Sequence, residues 1–104
     1  MTTSPQTIAH LLDALPGTTA RAMFGEYALY LAGRMIGLVC DDTLFVKPVK
    51  GAVALLPEAQ MGPPYPGAKD HLIVADTLDD ADLMRQVLRV LVAEVPLPKP
   101  KKAK

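Results

Sequence analysis

Residues 21–47 read RAMFGEYALYLAGRMIGLVCDDTLFVK, a stretch that is rich in aromatic and branched apolar residues and contains no proline. Two short interruptions, Ala32-Gly33 and Asp41-Asp42, divide it into apolar runs. Apolar runs separated by two-residue Gly or Asp turns are typical of consecutive β-hairpins. The stretch therefore predicts an antiparallel meander of three to four strands.

Two-residue turns at both interruptions would fix the register of this meander. The predicted cross-strand pairs are Tyr30–Met35, Leu29–Ile36, Val39–Leu44 and Leu38–Phe45. One face of the sheet then carries Tyr27, Leu29, Ile36, Leu38, Cys40 and Phe45. The other face carries Ala28, Tyr30, Met35, Gly37, Val39, Leu44 and Val46. Neither face is polar, although a small antiparallel sheet usually has one wet face. The terminal helices can cover one of these faces, and we expect a helix, a loop or another copy of the chain to cover the remaining one.

The N-terminal flank of the meander predicts a helix. Ser4 suits the N-cap and Pro5 the first helical position. Apolar residues then recur with helical spacing at Ile8, Leu11, Leu12 and Leu15. Pro16-Gly17 ends the helix, and residues 19–25 are expected to form the first strand.

The flank that follows the meander predicts one more strand and two helices. Gly51–Leu56 is expected to be a short helix, and residues 57–68 contain four prolines and should form an irregular loop. Residues 71–76 predict the further strand. Thr77 and Asp80 resemble a capping box ahead of a helix whose apolar stripe is Leu83, Met84, Val87, Leu88, Leu91 and Val95.

The predicted fold class is therefore α+β. We expect a two-layer domain in which an antiparallel sheet of about five strands, the meander 19–47 plus strand 71–76, packs against N-terminal and C-terminal helices. Residues 1–96 form a single domain, and a chain of 104 residues is long enough for a core of its own. Residues 97–104 hold four of the eleven basic residues and are expected to be a disordered tail. The rest is mildly acidic, which matches a phosphate backbone poorly.

Candidate groups for catalysis and metal binding are few. The chain contains one cysteine and two histidines, all far apart, whereas a metal site needs several such ligands. Cys40 and His71 could form a nucleophile–base pair, but strand alternation favours Cys40 as a small buried hydrophobe. Asp41-Asp42 is better explained as a turn and residues 79–82 as helix capping. We expect no enzyme activity, no metal and no cofactor.

The chain also shows no signal for export or membrane insertion. No apolar run approaches the roughly 18 residues of a membrane span, and the first residues lack the basic and apolar regions of a secretory signal. A single cysteine fits a reducing compartment. We expect a cytoplasmic protein.

The motif Arg21-x-Met-Phe-Gly-x-Tyr continues in register with Tyr30, Gly33, Gly37, Leu44-Phe45 and Lys47. This pattern resembles the N-terminal domain of the TfoX/Sxy competence-regulator family. The resemblance extends more loosely through Tyr65-Pro66 and the final helix. Glu26 stands where the family usually has a second glycine, and His71-Leu72 replaces a typically aromatic pair. We expect the stand-alone N-terminal domain, without the helical C-terminal domain of the classical regulators.

The resemblance implies a role in the bacterial regulation of competence (DNA-uptake) gene transcription, alongside the cyclic-AMP receptor protein. It implies a non-catalytic interaction domain with a protein partner, either a second copy in a homodimer or a transcription factor. The motif residues that we expect to take part in the interaction are Arg21, Met23, Phe24, Gly25, Tyr27, Tyr30, Gly33 and Lys47.

Two alternatives remain open. The chain could be a nucleic-acid-associated protein that uses Arg21, Arg34, Lys47 and the lysine tail. It could instead be a small-ligand sensor, with a pocket between the sheet and the proline-rich loop beside Tyr65 and Cys40.

Overall fold

The computed structural model describes residues 3–23 and 26–96. A six-stranded sheet, in which all pairings are antiparallel, has the strand order β1-β2-β3-β4-β6-β5. The strands are β1 (Thr19–Met23), β2 (Glu26–Leu31), β3 (Arg34–Cys40), β4 (Thr43–Val46), β5 (Met61–Gly62) and β6 (His71–Val74). The helices are α1 (Pro5–Ala14), α2 (Lys50–Leu55) and α3 (Ala81–Glu94), and a 3-10 turn spans Asp76–Asp79. The predicted α+β class, with helices from both ends of the chain, is confirmed. The tail 97–104 lies outside the described residues.

The sixth strand corrects the expectation that residues 57–68 are irregular. Met61 and Gly62 pair with β6, and the Ile73 amide donates to the Gln60 carbonyl at 2.8 Å. The strand stops after two residues because Pro63 and Pro64 follow, and proline has no N–H to donate to a ladder.

Both predicted two-residue turns are present. Leu31 pairs with Arg34 and Cys40 with Thr43. The four intervening residues all have positive φ: 52° and 78° at Ala32 and Gly33, and 51° and 59° at Asp41 and Asp42. Positive φ at both central positions is the pattern of a type I′ turn, whose twist matches the twist of paired strands.

A β-bulge in β3 makes part of the predicted face assignment wrong. Tyr30 pairs with Met35 as expected, but Leu29 pairs with Gly37, so Ile36 is an extra residue without a partner in β2. One extra residue shifts the alternation by one position. The pairs Val39–Leu44 and Leu38–Phe45 are as predicted, yet β4 and the end of β3 face opposite to expectation.

Next to the bulge, the backbone of Gly37 passes very close to β4. A Cβ atom at this position would clash with the carbonyl oxygen of Phe45 and would lie 3.1 Å from Cα of Val46. Only glycine fits such an approach between two backbones.

The main core lies between the sheet and the helices. It combines Ile8 and Leu11 of α1, its C-cap Leu15, Ala52 of α2, the α3 stripe Met84, Val87, Leu88 and Leu91, and the strand residues Leu29, Ile36, Val39, Leu44, Val46, Leu72 and Val74. α3 also packs against α2. Gly51 of α2 lies against Val90 and Glu94 of α3, so α3 covers both the sheet and α2.

The start of α3 corrects the predicted capping box. Thr77 lies in the 3-10 turn, and the N-cap of α3 is Asp80, whose carboxylate accepts from the Leu83 amide at 3.1 Å. The predicted cap of α1 is confirmed, since the Ser4 hydroxyl accepts from the Thr7 amide at 3.2 Å.

Hydrogen bonds tie the N-terminal segment to the end of the β3–β4 hairpin. Oε1 of Glu26 accepts from the Thr3 hydroxyl at 2.6 Å and from the Asp41 amide at 3.2 Å. Oδ1 of Asp42 accepts from the Ser4 amide and the Thr7 hydroxyl, both at 2.8 Å. Glu26, the departure from the glycine of the family pattern, thus has a structural role.

Candidate interaction surface

A second apolar cluster lies on the sheet face opposite the helices. Its buried members are Ala28, Leu38, Cys40 and Phe45, and the half-buried Met23, Tyr30, Met35 and Ile73 pack around them. All eight are strand residues, whereas the main core draws on all three helices. We call the surface formed by these eight residues the second face. Each face of the sheet therefore carries an apolar cluster, as expected. None of the described helices covers the second face.

Arg21 adds a cation to the second face. Its side chain is exposed on β1, and Cζ lies 5.6 Å from the centroid of the Tyr30 ring on β2. The two residues lie on the same side of the sheet because Thr19 and Arg21 pair with Tyr30 and Ala28. A guanidinium within about 6 Å of an aromatic centroid is attracted by the negative ring face.

Three of the motif residues thus meet on the second face, namely Arg21, Met23 and Tyr30. Tyr27 does not join them, since it is half-buried against the main core on the other side of the sheet. Strand alternation places Tyr27 and Tyr30 on opposite faces.

The remaining motif residues have other positions. Gly33 is exposed in the β2–β3 turn. Lys47 is half-buried after β4, where its amide donates to the Ile36 carbonyl at 2.9 Å. Phe24 and Gly25 lie outside the described residues.

Sequence reasoning placed the centre of the second face on the wrong side of the sheet. The register predicted from the sequence contains no bulge, so it puts Leu38, Cys40 and Phe45 on the same face as Tyr27. Gly37 was the available signal, since a glycine inside a strand often marks a bulge or a close backbone approach.

Cys40 is buried within the second face, as the strand pattern predicts. Burial raises the pKa of its thiol, and the negative charge of Glu26 raises it further. A raised pKa keeps the sulfur protonated, and a protonated thiol is a poor nucleophile. Cys40 therefore serves as a small apolar side chain.

Arg34, one of the cations of the nucleic-acid alternative, is engaged within the fold. Its Nε donates to the Val95 carbonyl at 2.8 Å and its Nη1 to the Ala32 carbonyl at 3.1 Å. The half-buried guanidinium thus joins the β2–β3 turn to the end of α3. This geometry leaves Arg21 and Lys47 as the predicted phosphate contacts of the described residues.

Neither of two surface clefts formed by the described residues is lined by Tyr65 or Cys40, beside which a pocket was expected. One, of about 590 Å³, is lined by residues 55–60 together with Ile73, Ala75 and Thr77. The other, of about 420 Å³, lies between α1, the β3–β4 turn and the 3-10 turn, with His10 and Asp42 at its edge. Tyr65 is instead 55% exposed.

Within residues 3–23 and 26–96, no group of three or more His, Cys, Asp or Glu side chains is arranged to hold a metal ion. Over the same ranges, no helix combines the length and the apolar character needed to cross a membrane.

Comparison with known proteins identifies one family. The sequence model of the TfoX N-terminal domain matches residues 10–94. An uncharacterized 12.7 kDa protein in the trpE 5′ region of Spirochaeta aurantia is 42% identical over 82 residues, which cover 79% of this chain and 71% of that protein. No solved structure gives a significant match.

Proposed function

Because the chain belongs to the TfoX N-terminal domain family, we propose that it is a non-catalytic interaction domain and that its second face binds a protein partner. The observation that supports this proposal is the apolar cluster around Leu38 and Phe45 on the sheet face that the described helices leave open, with half-buried apolar side chains at its surface. Apolar area removed from water contributes about 25 cal/mol per Å², so a partner that covers the half-buried Met23, Tyr30, Met35 and Ile73 would gain affinity from each.

The chemistry of the second face favours a partner of a particular kind. Arg21 is exposed at its border, so we expect apolar side chains accompanied by a carboxylate that meets the guanidinium. The second face of another copy of this chain would offer no such carboxylate, because its eight residues and Arg21 include no Asp or Glu. The second face therefore fits a different protein better than it fits itself.

The family is linked to competence, and we propose that the partner is a protein of transcriptional regulation in the bacterial cytoplasm. In this proposal the domain influences DNA-uptake genes through protein contacts rather than by reading DNA. The acidic balance of the chain ahead of the lysine tail supports this choice, because a DNA-binding surface needs a clear excess of cations.

The experiment compares two variants in the bacterium that carries the protein. Met35→Glu places a charge on the second face, and Gln86→Glu places the same charge on the exposed side of α3. Cross-linked partners are recovered with each chain, purified and titrated against it, after circular dichroism has shown that both variants fold.

The proposal predicts a partner that binds the unmodified chain and Gln86→Glu equally. The same partner should bind Met35→Glu at least about tenfold more weakly, which corresponds to about 1.4 kcal/mol. Equal affinity for both variants would place the interface elsewhere and contradict the proposal.

A further inference from the structure

The sheet has two edges, and they differ in how well they are protected. At one edge, β5 is two residues long and is followed by Pro63 and Pro64. Short strands and proline are the devices by which proteins block pairing with another chain. At the other edge, β1 is five residues long, contains no proline and pairs with β2 without a bulge.

β1 has a regular ladder on one side only. Five consecutive pairs with β2 run from Thr19–Tyr30 to Met23–Glu26, and β2 is the only described strand that pairs with β1. In a regular antiparallel ladder, the N–H and C=O groups of alternate residues point away from the partner strand. The outer side of β1 therefore presents a row of backbone groups to a further strand.

The single charged side chain of β1 does not guard this edge. Arg21 lies over the Tyr30 ring of the neighbouring strand, so its guanidinium is directed across its own sheet. The other four residues of β1 are Thr19, Ala20, Ala22 and Met23, which are small or apolar. None of them carries a charge that would repel an incoming strand.

We propose that β1 pairs antiparallel with β1 of a second copy, about a two-fold axis perpendicular to the sheet, with Ala20 opposite Ala20 of the second copy. The two-fold axis keeps every side chain on the same face in both copies, and residues directly opposite each other must share a face. The axis must therefore pass beside a residue that is paired with itself. The central choices are three, namely Ala20, Arg21 or Ala22 opposite itself. The second choice sets like charges directly opposite, which is destabilising. The first choice places Arg21 opposite Thr19 of the second copy, whose hydroxyl can accept a hydrogen bond from the guanidinium, whereas the third places Arg21 opposite the apolar Met23.

The geometry of this pairing has a consequence for the partner surface. An axis perpendicular to the sheet leaves both second faces pointing the same way, on one continuous sheet of twelve strands. The two Arg21–Tyr30 pairs then lie on either side of the axis. Such a dimer offers two binding surfaces side by side to a partner that is itself two-fold, and two linked contacts strengthen each other through effective concentration.

Cysteine cross-linking tests the edge and its register in the full chain. With Cys40→Ala as background, Ala20→Cys should form a disulfide-linked dimer on mild oxidation. Its Cα atoms would be about 4.5–5.5 Å apart, within the disulfide range of about 4.4–6.8 Å. Ala22→Cys should stay monomeric, because an offset of about four residues separates the two thiols by roughly 13 Å along the strands. Ala93→Cys, at an exposed position of α3, is the control that measures the rate of disulfide formation by random collision.

The proposal requires that Ala20→Cys dimerise at least about tenfold faster than Ala22→Cys and Ala93→Cys. Preferential cross-linking of Arg21→Cys would overturn the register. Sedimentation of the unmodified chain as a monomer at about 500 µM would overturn the pairing itself, because even a weak interface of small area should associate in this range. Met35→Glu must leave cross-linking unchanged. The two experiments can therefore refute the edge contact and partner binding independently of each other.

Discussion

The guanidinium of Arg21 lies 5.6 Å above the ring of Tyr30 and so joins the edge strand β1 to the second face of the sheet. The contact brings together two residues of the family motif that are nine positions apart in the sequence. It places a cation at the border of the apolar cluster centred on Leu38 and Phe45. The motif thus marks one side of a surface, rather than a set of reacting groups.

A double-mutant cycle should measure this contact. Arg21→Ala, Tyr30→Leu and the double variant are compared by urea unfolding. We expect a coupling free energy of about 0.5–1 kcal/mol, the range of exposed cation–π pairs. Additive effects of the two substitutions would show that the guanidinium does not rest on the ring in solution.

Gly37→Ala should destabilise the fold. Its Cβ would clash with the Phe45 carbonyl, and because the obstacle is backbone, the β3–β4 ladder must shift. We expect a loss of about 3 kcal/mol in the free energy of unfolding. Gly62→Ala is the matched control, since its Cβ would lie at an ordinary 3.4 Å from Cδ1 of Ile73. Equal stability of the two variants would refute the close approach of Gly37 to the Phe45 carbonyl.

Arg34→Ala should lower stability by about 1–2 kcal/mol, because it removes the donors to the Val95 and Ala32 carbonyls. Arg34→Lys should not restore the loss, since an ammonium cannot reproduce the fork of guanidinium donors. Arg85→Ala, which breaks only the exposed ion pair with Asp82, should cost less than about 0.5 kcal/mol. Urea midpoints compare the three variants. A rescue by lysine would mean that Arg34 acts by charge alone.

Asp42 should make stability depend on pH in the acid range. The Ser4 amide and the Thr7 hydroxyl hold the pKa of Asp42 below its ordinary value of 3.8. A carboxyl with a lowered folded-state pKa stabilises the fold above the ordinary pKa, and this stabilisation is lost as the pH falls through the folded value. Asp42→Asn should therefore be less stable than the unmodified chain at pH 6, with a difference that shrinks below pH 3.8.

Urea unfolding of both chains over this pH range checks the prediction. Asp13→Asn, at an exposed position of α1, is the control for the loss of one negative charge away from Ser4 and Thr7. A difference between Asp42→Asn and the unmodified chain that stays constant with pH would show that the carboxylate is not held by Ser4 and Thr7.

The parts of the fold that follow local chemistry were predictable from the sequence. Ser4-Pro5 begins α1 as expected, and the pairs Ala32-Gly33 and Asp41-Asp42 form two-residue turns. Caps and tight turns are set by a few neighbouring residues, so their signals survive in the sequence. The apolar character of both sheet faces followed from the same runs.

The errors have a common physical origin in contacts between distant segments. The bulge at Ile36 lies beside the close approach of Gly37 to β4, and Gly37 is the local sequence feature that accompanies it. Likewise, β5 pairs with β6 in spite of adjacent prolines, because two residues are enough to satisfy the edge of β6. Alternation propagates a one-residue error along a strand, so Leu38 and Phe45 were assigned to the wrong face although their pairing was right.

Methyl NMR of the methionines would test most directly whether the second face is the partner surface. Met23 and Met35 lie on this face, Met84 is buried in the main core, and Met61 is exposed on β5. On titration with the partner recovered from the cell, we expect the Met23 and Met35 methyl signals to shift or broaden, while those of Met61 and Met84 stay in place. Changes centred on Met61, with Met23 and Met35 unmoved, would contradict this expectation.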